Sequence, residues 1–201
     1  MNEKGIRTRE RVLAGATEIF HRQGFYGTSI HDLIRETGVK KGNLYHYFSS
    51  KEEMGLEVLT RARDDFSRFL ENSLQGDTSS ARLANHFAAI VRYHESRNLV
   101  GGCIFGNTAL EMSDRNETYR DVIHSVFEEW RRRIREVLES AVRSGEVRKD
   151  LDPEAMARHI VATVEGGIMV ARASGNPADL KACLAVLAGL LGFGDESAAH
   201  R

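Results

Sequence analysis

Proline is scarce in this sequence, where only Pro153 and Pro177 occur among 201 residues. Each follows an Asp or an Asn, residue types that commonly cap a helix, so both stand where the first turn of a helix accepts proline. Alternation of apolar and polar residues, the pattern of half-buried β-strands, is also absent. The chain is therefore predicted to be all-α.

Cysteine and long apolar runs are equally scarce. Cys103 and Cys183 are the only cysteines, and no Cys or His pair has zinc-ligand spacing, so we expect reduced thiols and no metal site. No apolar run approaches the roughly 20 residues that span a bilayer, and residues 1–10 are polar rather than signal-like. These absences predict a cytoplasmic protein without a membrane partner.

The net charge of −1 is unevenly distributed along the chain. Residues 1–51 hold nine Lys or Arg against five Asp or Glu, whereas the other 150 residues hold 19 against 24. A small basic head on an acidic body suits a protein that touches phosphate with one end only.

Helical periodicity, with its breaks, predicts about nine helices. They span about 7–24, 29–37, 41–48, 51–74, 79–97, 104–112, 117–144, 153–173 and 178–191. We predict a three-helix domain over residues 1–50, a helical domain over 51–193, and a disordered tail over 194–201.

Residues 28–51, TSIHDLIRETGVKKGNLYHYFSSK, have the pattern of a helix-turn-helix. Ser29, with Asp32 three residues on, is predicted to form a capping box that starts one helix, and Ser50 with Glu53 to start a later one. One short helix lies between these boundaries. This is the arrangement of a DNA-binding helix-turn-helix, in which the second helix enters the major groove.

The short second helix carries chemistry that suits DNA. Leu44 and Phe48, four residues apart, turn toward the core and leave polar side chains outside. Lysine donates to guanine O6 and N7, asparagine pairs with adenine, and hydroxyl groups suit phosphate oxygens. Gly42 lacks a side chain and lets the backbone approach the duplex. We therefore expect this helix to read DNA.

A longer pattern surrounds the helix-turn-helix. Its residues are Val12, Leu13, Ala16, Ile19, Phe20, Gly24, Phe25, Gly27, Thr28, Thr37, Gly38, Val39, Gly42, Leu44, Tyr45, Tyr47, Phe48, Ser50, Lys51, Glu52 and Glu53. At these residues the sequence strongly resembles the DNA-binding domain of the tetracycline-repressor (TetR-like) family of bacterial transcriptional regulators. The family usually has His then Phe where Tyr47 and Phe48 stand here. The resemblance implies a homodimeric repressor that binds a palindromic double-stranded operator and is released by a small-molecule effector.

The resemblance also implies roles for individual residues. Lys41, Asn43 and His46 stand where family members reach base edges. The residues that stand where family members hold phosphates are Thr28, Tyr45, Tyr47 and Lys51. Arg7 and Arg9 either add DNA-backbone contacts or belong to a solvated tail. The candidate DNA-binding residues are Thr28, Lys40, Lys41, Gly42, Asn43, Tyr45, His46, Tyr47 and Lys51.

The helical domain predicted over residues 51–193 contains a second motif. Residues 101–108, GGCIFGNT, fit the glycine spacing of a phosphate-binding loop but lack its lysine and a preceding strand, so nucleotide binding is not expected. The longer GCIFGNTALEMSD resembles a motif that starts the sixth helix in one branch of the same family, where this helix commonly relays ligand binding to the head. Polar residues on apolar helix faces of the body are either effector contacts or ordinary core residues. The candidate pocket residues are His86, Tyr93, His94, Cys103, Asn107, Trp130 and Glu165.

Cys103 supports an alternative function. It stands at a predicted helix N-terminus, where the helix dipole favours the thiolate, so the protein is alternatively a redox or electrophile sensor. An inert, buried cysteine is the other interpretation. A partner-binding adaptor that does not read DNA is a further alternative. An enzyme and a cofactor are not expected, because catalytic motifs are absent.

The last two predicted helices are rich in small residues, which lets helices pack closely. The resemblance implies a four-helix interface between two subunits, and an intrachain core of the same composition is the alternative. The residues predicted to supply the apolar area of the dimer interface are Val161, Val164, Ile168, Leu184, Leu187 and Leu191.

Overall fold

A computed structural model describes residues 3–193, and this part of the chain contains helices and no strand. The predicted all-α class is therefore confirmed, whereas the predicted tail over 194–201 lies outside the described residues. The helices are α1 (Glu3–Gln23), α2 (Ile30–Thr37), α3 (Lys41–Tyr47), α4 (Lys51–Ser73), α5 (Ser79–Ser96), α6 (Ile104–Met112), α7 (Glu117–Ser144), α8 (Pro153–Ser174) and α9 (Ala178–Leu190).

Local signals explain most of the helix boundaries. Gly38 ends α2 with φ of 65°, a left-handed conformation that glycine adopts without steric cost. Asp152 caps α8 by accepting from the backbone N–H groups of the second and third residues of the helix, and Pro153 follows at the first helical position. The start of α1 differs from the prediction. It lies at Glu3 rather than near residue 7, since no cap or proline marks it in the sequence.

The described residues form two compact units. Unit 1 comprises residues 3–65 and 101–126, and unit 2 comprises residues 66–100 and 127–193. Unit 1 therefore holds α1, α2, α3 and α6, and α4 and α7 each contribute residues to both units. α6 lies within the range predicted for the helical domain, residues 51–193, and its contacts group it with the N-terminal helices. The predicted domain boundary at residue 50 stays a prediction.

Each unit has its own apolar core, built from helix faces that repeat every three or four residues. The core of unit 1 includes Val12, Leu13, Ala16, Ile19, Phe25, Leu33, Leu44, Phe48, Met54, Val58 and Tyr119. The core of unit 2 includes Leu70, Leu83, Ile90, Trp130, Ile134, Leu138, Ile160, Val164, Leu180 and Leu187.

Neither a membrane-spanning helix nor a metal-binding cluster is found in residues 3–193. No helix of this part is both long enough and apolar enough to cross a membrane. No cluster of three or more His, Cys, Asp or Glu side chains in the same part is arranged to hold a metal ion.

Candidate nucleic-acid interface

The turn between α2 and α3 follows from local chemistry. The Ser29 hydroxyl accepts from the backbone N–H of Asp32 at 3.1 Å, and the Asp32 carboxylate accepts from the Ser29 N–H at 3.0 Å, which is the predicted capping box. The hydrogen bonds from the Ser29 hydroxyl and amide lower the pKa of the Asp32 carboxyl group. Gly38 then reverses the chain, and Val39 enters the core before α3 begins.

The second predicted capping box is only half formed. The Ser50 hydroxyl accepts from the Glu53 N–H at 3.0 Å, as expected. The Glu53 carboxylate, however, accepts from the N–H of Ser49 at 2.6 Å rather than from Ser50. The prediction was wrong by one residue, because the longer Glu side chain reaches past the cap to the preceding amide.

α3 presents a polar face that rests on two buried anchors. Leu44 and Phe48 are buried, as the four-residue spacing predicts. Most of the predicted DNA-binding residues form the opposite face. Lys40, Lys41, Gly42, Asn43, Tyr45 and His46 are exposed, and Tyr47 is half-buried with its ring 5.1 Å from that of His46. The structure thus brings seven of the nine predicted residues together on one accessible helix and its N-cap.

The other two predicted DNA-binding residues turn inward. Lys51 Nζ donates to the carbonyl oxygens of Phe25 and Thr28, both at 3.0 Å, and lies 4.3 Å from the centre of the Phe25 ring. The Thr28 hydroxyl donates to the carbonyl oxygen of Gly24 at 2.7 Å, and the residue is fully buried. These side chains hold the turn between α1 and α2. Their phosphate contacts stay a prediction.

The two arginines of α1 differ in their surroundings. Arg7 has a side chain that is 74% exposed and pairs with Glu3 on its own helix. The Arg9 side chain is 28% exposed and pairs with Glu57 on α4. Arg9 is therefore part of the packed structure rather than of a solvated tail, which the sequence did not indicate.

α6 and the loop before it each make one hydrogen bond to the end of α1 or the turn after it, all within unit 1. His21 Nε2 donates to the Gly102 carbonyl oxygen at 2.7 Å, just before α6 begins. Near the other end of α6, the Glu111 carboxylate accepts from the Tyr26 N–H at 2.7 Å. A side chain at Gly24, where φ is 80°, would collide with this carboxylate. Neither bond was predicted, because motif spacing does not show which helices pack together.

In unit 2, two of the predicted pocket residues form a buried polar cluster. Trp130 Nε1 donates to His86 Nε2 at 2.9 Å, so the imidazole proton resides on Nδ1, which donates to the Ser73 hydroxyl at 2.7 Å. The rings of Phe66 and Phe69 pack against this cluster. Burial lowers the pKa of His86 to about 3. His86 is therefore neutral and fully hydrogen-bonded, the core interpretation that the sequence left open.

The other predicted pocket residues are divided between the units. His94 is buried, Glu165 is half-buried and Tyr93 is 43% exposed in unit 2. Cys103 and Asn107 belong to unit 1. The Cys103 sulfur accepts from the Gly106 N–H at 3.4 Å as the N-cap of α6, and the Asn107 amide donates to the Gly101 carbonyl oxygen.

The predicted dimer-interface residues lie in the core of the chain itself. Val161, Val164, Ile168, Leu184, Leu187 and Leu191 are all buried, and α8 and α9 pack against each other. Other apolar residues of these helices are exposed, namely Met169, Val170, Val186 and Leu190. Added Cβ atoms at Gly166 and Gly189 would meet open space. Helical periodicity identified apolar residues on α8 and α9 but not which of them are free to meet another chain.

Two family models match the chain. One is described as bacterial regulatory proteins, tetR family, and covers residues 12–58, the region of α1 to α4. The other is described as the C-terminal domain of tetracyclin repressor-like proteins and covers residues 79–187. Together they cover the helix-turn-helix and most of the remaining helices.

Individual regulators and a solved structure are similar to this chain over most of its length. The HTH-type transcriptional repressor DhaR of Mycobacterium sp. strain GP1 is 28% identical over 181 residues, or 89% of each chain. An uncharacterised HTH-type regulator of Lactococcus lactis is 30% identical over 81% of this chain and 82% of its own. The crystal structure of a TetR transcriptional regulator from Chloroflexus aurantiacus is 33% identical, covers 95% of this chain and 97% of its own, and superposes with a TM-score of 0.86.

These matches indicate the same type of protein as the polar face of α3 and the capped helices that hold it. The chain belongs to the tetR family of bacterial regulatory proteins and is a DNA-binding regulator of transcription.

Proposed function

We propose that the protein is a homodimeric repressor that binds a palindromic operator and releases it when a small molecule binds. The observation that carries this proposal is the exposed face of α3, held in place by buried Leu44 and Phe48. Lys41 suits guanine O6 and N7, and Asn43 suits adenine N6 and N7. The tyrosine hydroxyls on the same helix suit phosphate oxygens, which fix the position of a protein on the duplex.

The exposed apolar residues of α8 and α9 support a dimer. Met169 and Val170 on α8, with Val186 and Leu190 on α9, give each helix an apolar outer face. The open space at the neighbouring glycines lets the helices of a second chain approach closely. A two-fold dimer reads two half-sites about one helical turn apart, so its operator is palindromic.

The contacts of α6 support a response to a ligand. The loop before α6 is bonded to His21 of α1, and α6 itself is bonded to the following turn at Tyr26, so a displacement of α6 changes the support of the helices that bind DNA. An effector releases DNA only if it binds the DNA-incompetent state more tightly. A coupling of about 1–3 kcal/mol lowers the DNA affinity by about 5- to 150-fold.

The position of Cys103 favours a second candidate, a thiol switch on the same fold. The thiol caps α6 by accepting the Gly106 N–H, which places it at a helix N-terminus, the kind of position where reactive cysteines are found. Under this proposal, oxidation or alkylation of Cys103 displaces α6 and releases DNA. A Cys103→Ala variant that still responds to an inducing compound contradicts the thiol mechanism.

The experiment that tests operator binding is selection of DNA by the purified protein. A library of random duplexes is incubated with the full chain at about physiological salt, and the bound fraction is sequenced. The proposal expects a two-fold symmetric consensus. Recovery of DNA without a consensus contradicts the proposal and favours the adaptor interpretation.

Matched variants connect the consensus to α3. Lys41→Ala should weaken binding to the selected duplex and relax the preference at one base position, by about 1–3 kcal/mol. Lys149→Ala makes the same change at an exposed lysine outside unit 1 and should leave binding unchanged. Equal effects of the two substitutions contradict base reading by α3.

A further inference from the structure

We propose that Arg9 is a positioning residue for the recognition helix, acting through Phe48 and Glu57 rather than through DNA. The inference rests on the proposed reading of DNA by α3 and assigns a second determinant of that reading to α1. An arginine near the start of a DNA-binding domain is ordinarily expected to contact phosphate, and the geometry of Arg9 points elsewhere.

The guanidinium of Arg9 is engaged with α4. Nη1 donates to Glu57 Oε1 at 2.6 Å, and Nη2 pairs with Glu57 Oε2, so the two planar groups meet in a bidentate arrangement. The side chains of Arg9 and Glu57 are 28% and 25% exposed. Bidentate pairs of this kind fix orientation as well as distance. Arg9 therefore directs two of its donors toward α4.

The same guanidinium covers the anchor of α3. Its central carbon lies 5.0 Å from the centre of the Phe48 ring, within the range of a cation–π contact. Phe48 is buried and is the C-cap of α3. α3 has only seven residues and no side-chain N-cap, and helices this short depend on tertiary contacts for their stability. The contact between Arg9 and Phe48 thus supports one end of the helix that carries the DNA-reading residues.

Arg61 extends the pair between Arg9 and Glu57 into a network. Arg61, one turn after Glu57 on α4, lies 3.8 Å from the Glu57 carboxylate. It also makes a bidentate pair with Glu10, with distances of 2.5 and 2.6 Å. Arg9 and Glu10, which are neighbours on α1, therefore pair with Glu57 and Arg61, which lie on successive turns of α4. A network of this kind costs less side-chain entropy for each added pair than isolated pairs do, because each pair restricts its neighbours.

The salt dependence of DNA binding separates positioning from phosphate contact. Dissociation constants of the full chain are measured over a range of salt concentrations, using a duplex that the wild-type protein selects. Arg9→Gln should weaken binding about tenfold at each salt concentration without changing the slope of log K against log salt. Loss of a phosphate contact instead lowers the slope by about one. That change in slope, or an unchanged affinity, overturns the proposal.

Glu57→Gln gives an independent test, because it leaves Arg9 in place and removes its partner. Positioning predicts weaker binding for Glu57→Gln as well. If Arg9 bound phosphate, Glu57→Gln would leave affinity unchanged or raise it, since it frees the guanidinium and removes a negative charge. Arg7→Gln, at the exposed arginine of the same helix, is the matched control and should not change the rate of amide hydrogen exchange in α3.

Amide hydrogen exchange distinguishes positioning from general stability and requires no operator. At a temperature well below unfolding, Arg9→Gln and Glu57→Gln should accelerate exchange in α3 while leaving α2 and the C-terminal half of α1 protected as in the wild type. Acceleration spread evenly over unit 1, or none in α3, overturns the proposal. The exchange result decides the role of Arg9 even where the selection recovers no consensus.

Discussion

Gly42 and Gly38 provide a matched comparison at the scale of single residues. A Cβ added at either position meets open space, but only Gly38 has the left-handed backbone, with φ of 65°. Gly42→Ala should therefore keep or raise stability, by up to about 1 kcal/mol, and Gly38→Ala should lower it by about 1–2 kcal/mol. Urea unfolding of the two variants measures this difference.

The same substitution at Gly42 should weaken operator binding, because the added methyl group occupies the surface that approaches the duplex. The affinity of a folded, stable Gly42→Ala variant for the selected duplex measures the effect. Wild-type affinity would contradict a close backbone approach at Gly42 and leave the adjacent lysine and asparagine as the main readers.

The sequence predicted the exposed face of α3 well because a four-residue spacing of apolar residues fixes which side of a helix is buried. It did not predict the inward contacts of Lys51 or Arg9. The charged ends of these side chains lie several bonds from the backbone, and their positions depend on carbonyl and carboxylate groups that are distant in sequence. Sequence pattern therefore located the surface but not the residues that support it.

At the scale of helices, His86 joins α5 to α4 and α7 through Ser73 and Trp130. Its pKa is lowered to about 3 by burial, whereas the unfolded chain binds a proton near pH 6.5. Stability from this neutral histidine is fully present above pH 6.5 and is lost as the pH falls toward 3. The loss is at most about 1.4 kcal/mol per pH unit.

His86→Gln tests this dependence. The variant should be less stable than the wild type at pH 7.5, because it disturbs a buried hydrogen-bonded cluster. Between pH 6.5 and 4, however, its unfolding free energy should fall less steeply. Urea unfolding at several pH values measures both curves, and parallel curves would mean that another group causes the acid sensitivity.

Helix boundaries were largely predictable, since caps, glycines and prolines act locally. The grouping of helices was not. The GCIFGNTALEMSD motif correctly gave the start of α6 at Ile104. The placement of α6, however, depends on hydrogen bonds from His21 to Gly102 and from Tyr26 to Glu111, each of which joins residues far apart in sequence. Apolar periodicity shows which face of a helix is buried and leaves its partner undetermined.

At the scale of the whole molecule, the exposed apolar residues of α8 and α9 predict the effect of a charge on assembly. Val186 is 63% exposed, so Val186→Glu should leave the fold intact. In a dimer formed through this face, the carboxylate would be buried without a partner and should raise the dimer dissociation constant at least about 100-fold. Sedimentation velocity at several concentrations measures the change.

Leu110→Glu is the control for this substitution. Leu110 is an apolar residue of α6 that is 87% exposed, and the charge introduced is the same. We expect this variant to associate like the wild type. A Val186→Glu variant that remains dimeric, or a Leu110→Glu variant that dissociates, would assign the interface to another surface.

The hydrogen bond from the Tyr26 N–H to the Glu111 carboxylate gives the protein a spectroscopic marker for the position of α6. An amide proton that donates to a carboxylate at 2.7 Å resonates downfield in an NMR spectrum of ¹⁵N-labelled protein, and its frequency depends on the position of α6. A compound that displaces α6 will shift this one resonance, whatever its own chemistry. Compound collections can therefore be screened for molecules that displace α6, the kind of effector proposed above, by following this peak before any operator or target gene is identified.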